Sequence, residues 1–446
     1  MESISLNKIA ELTGGKLTAD GSSMVDNAVI DSRLAGKGSL FFCFKGAKTD
    51  GHNYCGRARS RGGYCLGEKE SCDIVVDSTG KALARLAKEY IKDKKCRVIA
   101  VTGSAGKTTA VRIIAGILGR VKETVYSPKN FNNRIGLPLS LLKVKDSTEY
   151  LVLEMGANHR GEIKQLAEIA DPDIGVLTNV GTAHIGYFKS RQNILDSKME
   201  LADYIVRKGG TLFYNYDSLD LRKCCAEIKN SIGFGFSAGS RLRAEIISKN
   251  QKGSEFKVDS TRYILNIPGK FNISNALAAL AVAGYEKIDK KVIIKSLREI
   301  ELPGHRMEKI SAGKYEIIDD TYNANPDAAR ALFKDISGIY PKKKIIAVVG
   351  QMLELGSFSV RLHYETGKFI GSLENIKYFL SGGDYKKDLA EGAESGGLSP
   401  QRVKQFNKNS EAVRLIEEIY SPDSLIVLKA SRLQKFEEII EQLAEK

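Results

Sequence analysis

Residues 98–118, VIAVTGSAGKTTAVRIIAGIL, constrain the chain more than any other segment. An apolar run leads into a Gly-rich turn, then into Lys107-Thr108-Thr109 and an amphipathic helical stretch. A buried strand ending on such a turn aims backbone amides and a helix N-terminus at one point, which makes a phosphate cradle. Gly103 and Gly106 permit the backbone angles that turn amides inward. Ser104 and Ala105 complete the loop between them, and Thr109 follows in the first helical turn. In this setting Lys107 reaches β- and γ-phosphate oxygens, and the Thr108 hydroxyl is a Mg²⁺ ligand. The loop is shorter than the usual P-loop: the first glycine of G-x-x-x-x-G-K would fall at position 101, which is Val.

From about residue 97 the chain alternates strand and helix. Apolar runs ending in Gly, Asn or Asp (YLVLEMG 150–156, IGVLTNVG 174–181, TLFYN 211–215) are separated by amphipathic stretches such as GEIKQLAEIA (161–170). That pattern predicts βαβ units and a mostly parallel sheet, whose ligands bind beyond the carboxyl ends of the strands. The first 95 residues differ, being Gly-rich around one strong strand, LFFCF, with a linker near KDKKCR (92–97). A second shift comes at ELPGHRME (301–308), and a fresh strand–helix series follows through YEIIDD, IIAVVG, IKYFLSGG and LIVLKASR. The expectation is an α/β protein of three domains. Residues 1–95 form a small α/β domain and 96–307 a central P-loop-type domain with a mostly parallel sheet flanked by helices. Residues 308–446 form a Rossmann-like C-terminal domain.

No apolar run approaches the roughly 18–20 residues that span a bilayer, and the start, MESISLNKIAELTGG, lacks the pattern of a secretory signal. A cytoplasmic protein without a membrane span is expected. The net charge of +14 (68 − 54) raises nucleic acid as a partner. The lysines, however, are scattered, and the dense clusters KDKK (92–95) and PKKKII (341–346) each lead into an apolar run. With no RNP-like motif or zinc finger, no nucleic-acid partner is expected, and a polyanionic small substrate accounts for the charge equally well. The seven cysteines are odd in number and form no CxxC pair, so reduced thiols are expected, neither a disulfide framework nor a zinc ribbon.

Glu154 ends the buried run YLVLE. A carboxylate there costs free energy unless it is paired or metal-bound, so it is either a helix cap or a Mg²⁺ ligand near the phosphates. Asn323, Asn325 and Asp327 in YNANPDAA are compatible with Asx turns and a helix N-cap, with Pro326 near the first helical position.

The loop TGSAGKTT resembles the ATP loop of the Mur ligase family, which builds the peptide of bacterial cell-wall precursors. NFNNRIGLPLSLL (130–142), EMGANHRGEIKQL (154–166), TNVGTAHIGYF (178–188), DDTYNANPDAA (319–329) and QMLELGSFSVRLHYETG (351–367) extend the resemblance over nearly the whole chain. They point to the branch joining D-alanyl-D-alanine to UDP-N-acetylmuramoyl-tripeptide with ATP and Mg²⁺ through an acyl phosphate. Two positions depart from the family pattern: Gln351 stands where Asp is more frequent, and Ala430 replaces the Gly of a KGSR-like string.

The resemblance implies further roles. Lys107, Lys198, His184 and Glu154 are catalytic, with Thr108, Glu154 and His184 around Mg²⁺ and Lys198 carbamylated by CO₂. Asn275 lies near the adenine, Arg306 contacts phosphate at the hinge between the second and third domains, and Asp320 contacts the ribose. Ser32, Arg33, Phe44, Lys45 and Gly46 anchor the uridine nucleotide, and Asn323 and Asn325 lie close to the dipeptide. The chain is expected to act as a monomer. Three alternatives stay open: a sister ligase adding the third amino acid, a folylpolyglutamate synthetase sharing the ATP site, and a P-loop ATPase acting on nucleic acid. The string DDTYNANPDAA and the absence of a DNPR motif argue against the sister ligase.

Overall fold

A computed structural model describes residues 1–128, 130–302 and 304–445. Pro303, within the hinge string ELPGHRME, lies outside the described residues.

The strand entering the phosphate loop, Arg97–Thr102, sits inside a nine-stranded sheet. Across that sheet the strands run Thr261–Leu265, Gly253–Val258, Leu242–Asn250, Ser231–Gly235, Thr211–Asn215, Ile174–Leu177, Arg97–Thr102, Tyr150–Glu154 and Thr124–Tyr126. The pairings from Leu242–Asn250 to Thr124–Tyr126 are all parallel. Tyr150–Glu154 and Ile174–Leu177 are buried at every position. Helices cover both faces of such a sheet, so its central strands read as unbroken apolar runs. At the opposite edge Gly253–Val258 and Thr261–Leu265 pair antiparallel. Strand–helix alternation does not predict this extension, because no helix separates its strands.

A five-stranded sheet (Lys16–Leu17, Ile74–Val75, Tyr64–Gly67, Ser39–Phe42, Asn27–Val29) precedes the central one, and a six-stranded sheet follows it. The latter runs Glu308–Ala312, Tyr315–Asp320, Ser424–Lys429, Lys344–Val349, Ile376–Gly382, Val403–Phe406, parallel except for the hairpin at its first edge. Helix Thr79–Lys92 joins the first sheet to the central one. Ser78 caps its N-terminus, and its buried face (Leu83, Leu86, Ala87, Tyr90, Ile91) recurs at helical spacing. The Tyr90 hydroxyl donates to the Val144 carbonyl at 2.5 Å. No described helix is long and apolar enough to cross a membrane.

Two helices position the site. Arg191–Lys208, capped by Ser190 and stopped at Gly209 in the left-handed region, carries Lys198 on its buried face. Lys270–Tyr285 is buried along most of its length and carries Asn275, and its small side chains let it pack against the helix Lys107–Leu118. A buried carboxylate from the C-terminal part of the chain holds its first turn. Asp335, on helix Pro326–Ile339, accepts from the Lys270 amide at 2.6 Å and from Lys249 Nζ at 2.9 Å. Removing a charged acceptor of this kind costs about 2 kcal/mol. Asp335→Ala is therefore expected to lower the urea midpoint, and an unchanged midpoint would show that the contact contributes nothing.

Candidate active site

The register of the central sheet brings Thr102, Glu154 and Leu177 to one edge, since Arg97–Thr102 lies between the other two strands. The phosphate loop leaves from that edge. Gly103 (φ 151°) and Gly106 (φ 81°) have backbone angles that favour glycine. Space excludes a side chain as well: a Cβ would lie 2.0 Å from Thr178 Oγ1 at position 103 and 2.4 Å from Asn275 Oδ1 at position 106. The loop is held from outside. The Ala105 amide donates to Asn179 Oδ1 at 2.9 Å, Thr178 Oγ1 donates to the Ala105 carbonyl at 2.7 Å, and the Gly181 amide donates to Ser104 Oγ at 2.9 Å.

Lys107 opens the helix Lys107–Leu118, and its Nζ donates to the Gly103 carbonyl at 2.9 Å. Burial lowers its pKa, and nearby Arg306 lowers it further against the pull of Glu154 and Glu354. Thr109 is buried one turn into the same helix. Thr108 Oγ1 donates to Glu154 Oε2 at 2.7 Å, and Asn132 Nδ2 donates to Oε1 at 2.7 Å. Glu154 is therefore a fully engaged carboxylate at a strand end, and it caps no helix.

Residues beyond 304 complete the site. Arg306 Nη2 reaches Thr108 Oγ1 at 3.3 Å, and its guanidinium lies 4.0 Å over the Tyr322 ring. Its Nε is buried with no hydrogen-bond partner. His184, in the left-handed region (φ 61°), sets Nδ1 2.5 Å from Glu354 Oε2, and the Gly186 amide donates to the Glu354 carbonyl at 2.9 Å. The His184 contact holds the Glu354 carboxyl below its ordinary pKa. Asp327 accepts from the Thr182 amide at 2.6 Å and its hydroxyl at 2.7 Å.

Lys198 is only 2% exposed, with its ammonium 5.6 Å from the Phe188 ring centre. Among the described residues no carboxylate lies within ion-pair distance of it. Burial, with repulsion from Lys107, lowers its pKa to about 7. Lys107 and Arg306 thus share the site with Glu154 and Glu354, and Lys198 adds its charge beside Lys107, leaving a cationic excess and an orphaned donor. The residues fit a polyphosphate with a divalent ion: the cations suit the phosphates, and Thr108, Glu154 and His184 offer oxygen and nitrogen to the metal.

The other expected residues lie in two places. Asn275 sets its amide against Gly106. Asp320 accepts from Lys429 Nζ at 2.6 Å and from the Met307 amide at 3.3 Å, and Lys429 also donates to the Asn323 carbonyl at 2.6 Å. Asn325 caps helix Pro326–Ile339 by accepting from the Ala328 amide, and Asn323 Oδ1 accepts from the Ala324 amide. These two carbonyl oxygens are spent locally, as the Asx-turn reading expects. Ser32, Arg33, Phe44, Lys45 and Gly46 lie apart. Exposed Arg33 clamps Asp31 at 2.7 Å, and the 44–46 turn closes through the Gly46 amide on the Thr49 carbonyl. Among the described residues no hydrogen bond or ion pair joins these five to the phosphate loop. Asn132, Asn179, Lys429 and Glu354 belong to the site but carry no signal of their own in the sequence. Asn132, Asn179 and Glu354 are single polar residues in loops and Lys429 ends the strand Ser424–Lys429, and only the fold brings them together.

Family models match twice: the Mur ligase middle domain over residues 101–283, and the Mur ligase glutamate ligase domain over 305–432. A Bacillus subtilis UDP-N-acetylmuramoyl-tripeptide–D-alanyl-D-alanine ligase is 32% identical, covering 99% of this chain and 98% of its own. A crystal structure of MurF from Acinetobacter baumannii superposes with TM-score 0.88 at 28% identity, over all of both chains. MurF ligase from Thermotoga maritima in complex with ADP gives 0.82 at 26% identity, over 94% of this chain and 97% of that one.

A lysine with a folded pKa near 7 and an unfolded one near 10.4 burdens the folded state with a buried charge below pH 7, and the burden lifts as pH rises toward 10. In CO₂-free buffer, Lys198→Met is expected to stabilise the protein against urea at pH 6, with the advantage shrinking at pH 8 and 9. A gain independent of pH would show that the ammonium is not desolvated.

Proposed function

The chain belongs to the Mur ligase family, and we propose that it joins D-alanyl-D-alanine to UDP-N-acetylmuramoyl-tripeptide at the expense of ATP. The observation that carries this reading is the meeting of Lys107, Thr108 and Arg306 around the glycine loop, with the Arg306 Nε buried and unpartnered. The full-length similarity to D-alanyl-D-alanine-adding ligases supports the substrate choice.

The chemistry follows from the charges. The terminal carboxylate of the tripeptide attacks the γ-phosphorus of ATP, an oxygen–phosphorus bond forms, and ADP leaves. The dipeptide amine then attacks the acyl-phosphate carbonyl, loses a proton, and expels phosphate. Neither step requires a protein nucleophile, so positioning and charge neutralisation do the catalysis. Lys107 and Arg306 neutralise the transferring phosphoryl group, and Thr108, Glu154 and His184 would hold a Mg²⁺ that would supply Lewis-acid charge. Residues 103–109 cradle the phosphates, Asn275 faces the adenine, and Asp320, held by Lys429, takes the ribose. The segment 323–325 borders the dipeptide. Ser32, Arg33, Phe44, Lys45 and Gly46 take the uridine diphosphate. The working units are 1–95, 96–307 and 308–446, in a monomer acting in the cytoplasm.

ADP release measured with the UDP-muramoyl tripeptide is expected to depend on D-alanyl-D-alanine. Release indifferent to both, or stimulated by DNA or RNA, would overturn the reading. Lys107→Ala is expected to lower turnover at least about 100-fold by removing charge from the transferring phosphate. Near-normal acyl-phosphate formation in that variant would exclude the role.

Lys198 acts as a carbamate: its neutral amine adds CO₂ and releases a proton, turning a repelling cation into an anion that orients the magnesium ligands. Lys198→Ala is expected to fold and to lose most activity, with partial rescue by acetate. Full activity without acetate would exclude the carbamate.

A further inference from the structure

Outside this site, burial gathers the four cysteines of the first sheet. Cys43, Cys55, Cys65 and Cys72 are 0%, 3%, 0% and 0% exposed and make up half the buried residues of one small core with Val29, Ala35, Phe41 and Ala58. Cys43 Sγ lies 3.4 Å from Cys55 Sγ and 4.0 Å from Cys72 Sγ, and Cys55 and Cys72 are 3.9 Å apart. The sulfurs of Cys43, Cys55 and Cys65 all lie within 4.8 Å of one another. Four thiolates at a Zn–S distance of about 2.3 Å form a tetrahedron with an edge of about 3.8 Å. The three separations among Cys43, Cys55 and Cys72 straddle that edge.

We propose that Cys43, Cys55, Cys65 and Cys72 form a structural site for a single thiolate-preferring divalent ion, zinc in the first instance. Cys43 and Cys55 lie close to each other and to both remaining sulfurs, so one ion between them can take Cys65 on one side and Cys72 on the other, and four thiolates make a closed, structural geometry. The expectation of reduced thiols rests on the odd number of cysteines and the lack of a CxxC pair. The ligands instead come from four segments. Cys43 follows strand Ser39–Phe42, Cys55 opens helix Cys55–Ser60, Cys65 lies in strand Tyr64–Gly67, and Cys72 precedes strand Ile74–Val75.

Arg59, on the helix that Cys55 opens, brings a cation near the thiols. Arg59 is itself tied to Asp73 at 3.1 Å, beside the cluster. His52 is not a ligand, because Nε2 accepts from the Glu68 amide and Nδ1 is bonded to Asp50. An ion here would staple strand to helix directly beneath the Phe44-Lys45-Gly46 turn, where the Cys43 carbonyl already receives the Thr79 hydroxyl at 3.2 Å. Loading releases the thiol protons and leaves the cysteines unoxidised.

The test uses the full chain, produced with zinc or with cobalt and dialysed extensively. One metal per chain is expected by elemental analysis. The cobalt form is expected to show sulfur-to-metal charge transfer and the visible bands of tetrahedral thiolate coordination. The Cys43→Ser/Cys72→Ser variant is expected to lose the ion, and Cys96→Ser and Cys224→Ser to keep it. Should the double variant fail to fold, alkylation of the native protein decides. The four thiols are expected to be protected in the zinc form and to become reactive after chelation. Less than about a tenth of an equivalent of metal with all four thiols reduced, a Cys43–Cys55 disulfide in the freshly isolated protein, or full metal retention by the folded double variant would each overturn the proposal.

Discussion

The structure depends on the cost of burying positive charge at the carboxyl edge of the central sheet. Lys107 and Lys198 both lose pKa to desolvation, Lys198 falling to about 7, with Arg306 repelling Lys107 and Lys107 repelling Lys198. Glu154 offsets part of this from the end of its strand, and Glu354 does so from across the cleft. Charge of this kind persists in a native protein where a ligand or function compensates it. A polyphosphate bound between Lys107 and Arg306, as proposed above, would supply the missing anion. The architecture can then be understood as the means of holding these groups within a few ångströms of one another before the substrate arrives, so that little reorganisation is left for the transition state.

Holding them takes contacts that cross from residues beyond 304 to the central sheet. Arg306 reaches Thr108, Glu354 meets His184, Asp327 receives Thr182, and Asp335 receives Lys270 and Lys249. All four are polar and charge-assisted, so they form and break with less penalty than an apolar interface of the same extent. Such a seam suits a site that must admit a nucleotide and two peptides and then exclude water. Gly186 belongs to the same seam, since a Cβ there would lie 2.6 Å from the Gly356 amide nitrogen.

The parts of this design that were legible in the sequence are the local ones. The strand–loop–helix at 98–118 can be read because one continuous segment encodes its whole geometry, and Pro326 at a helix start is likewise encoded by its neighbours. Glu154 was legible as an anomaly, a carboxylate in an apolar run. Glu354 and Asn132 were not, because their partners lie far along the chain and their own segments show no conflict. The antiparallel edge at 253–265 escaped the βα pattern for a related reason: a hairpin needs no helix to mark it. The cysteine cluster is the extreme case. Its four members come from four elements, and only the parallel pairing of strands 39–42, 64–67 and 74–75 brings them to one core.

Lys198 shows how such conflicts become informative once the fold is known. Its helix is ordinary by every local measure, with a Ser190 cap, a Gly209 stop and a mixed polar surface. On local grounds a lysine there belongs to the solvent. Packing against Phe188 buries it, and no described carboxylate pairs with it, so the folded protein holds a cation that its surroundings disfavour. A hydrophobic residue of similar length would fill the space at lower cost. An amine near neutrality at ambient pH, beside a cationic phosphate site, has a chemical use that such a replacement lacks: it can exchange its proton for a group of opposite charge. The energetic penalty and the proposed chemistry therefore have one origin, the desolvation of a single nitrogen.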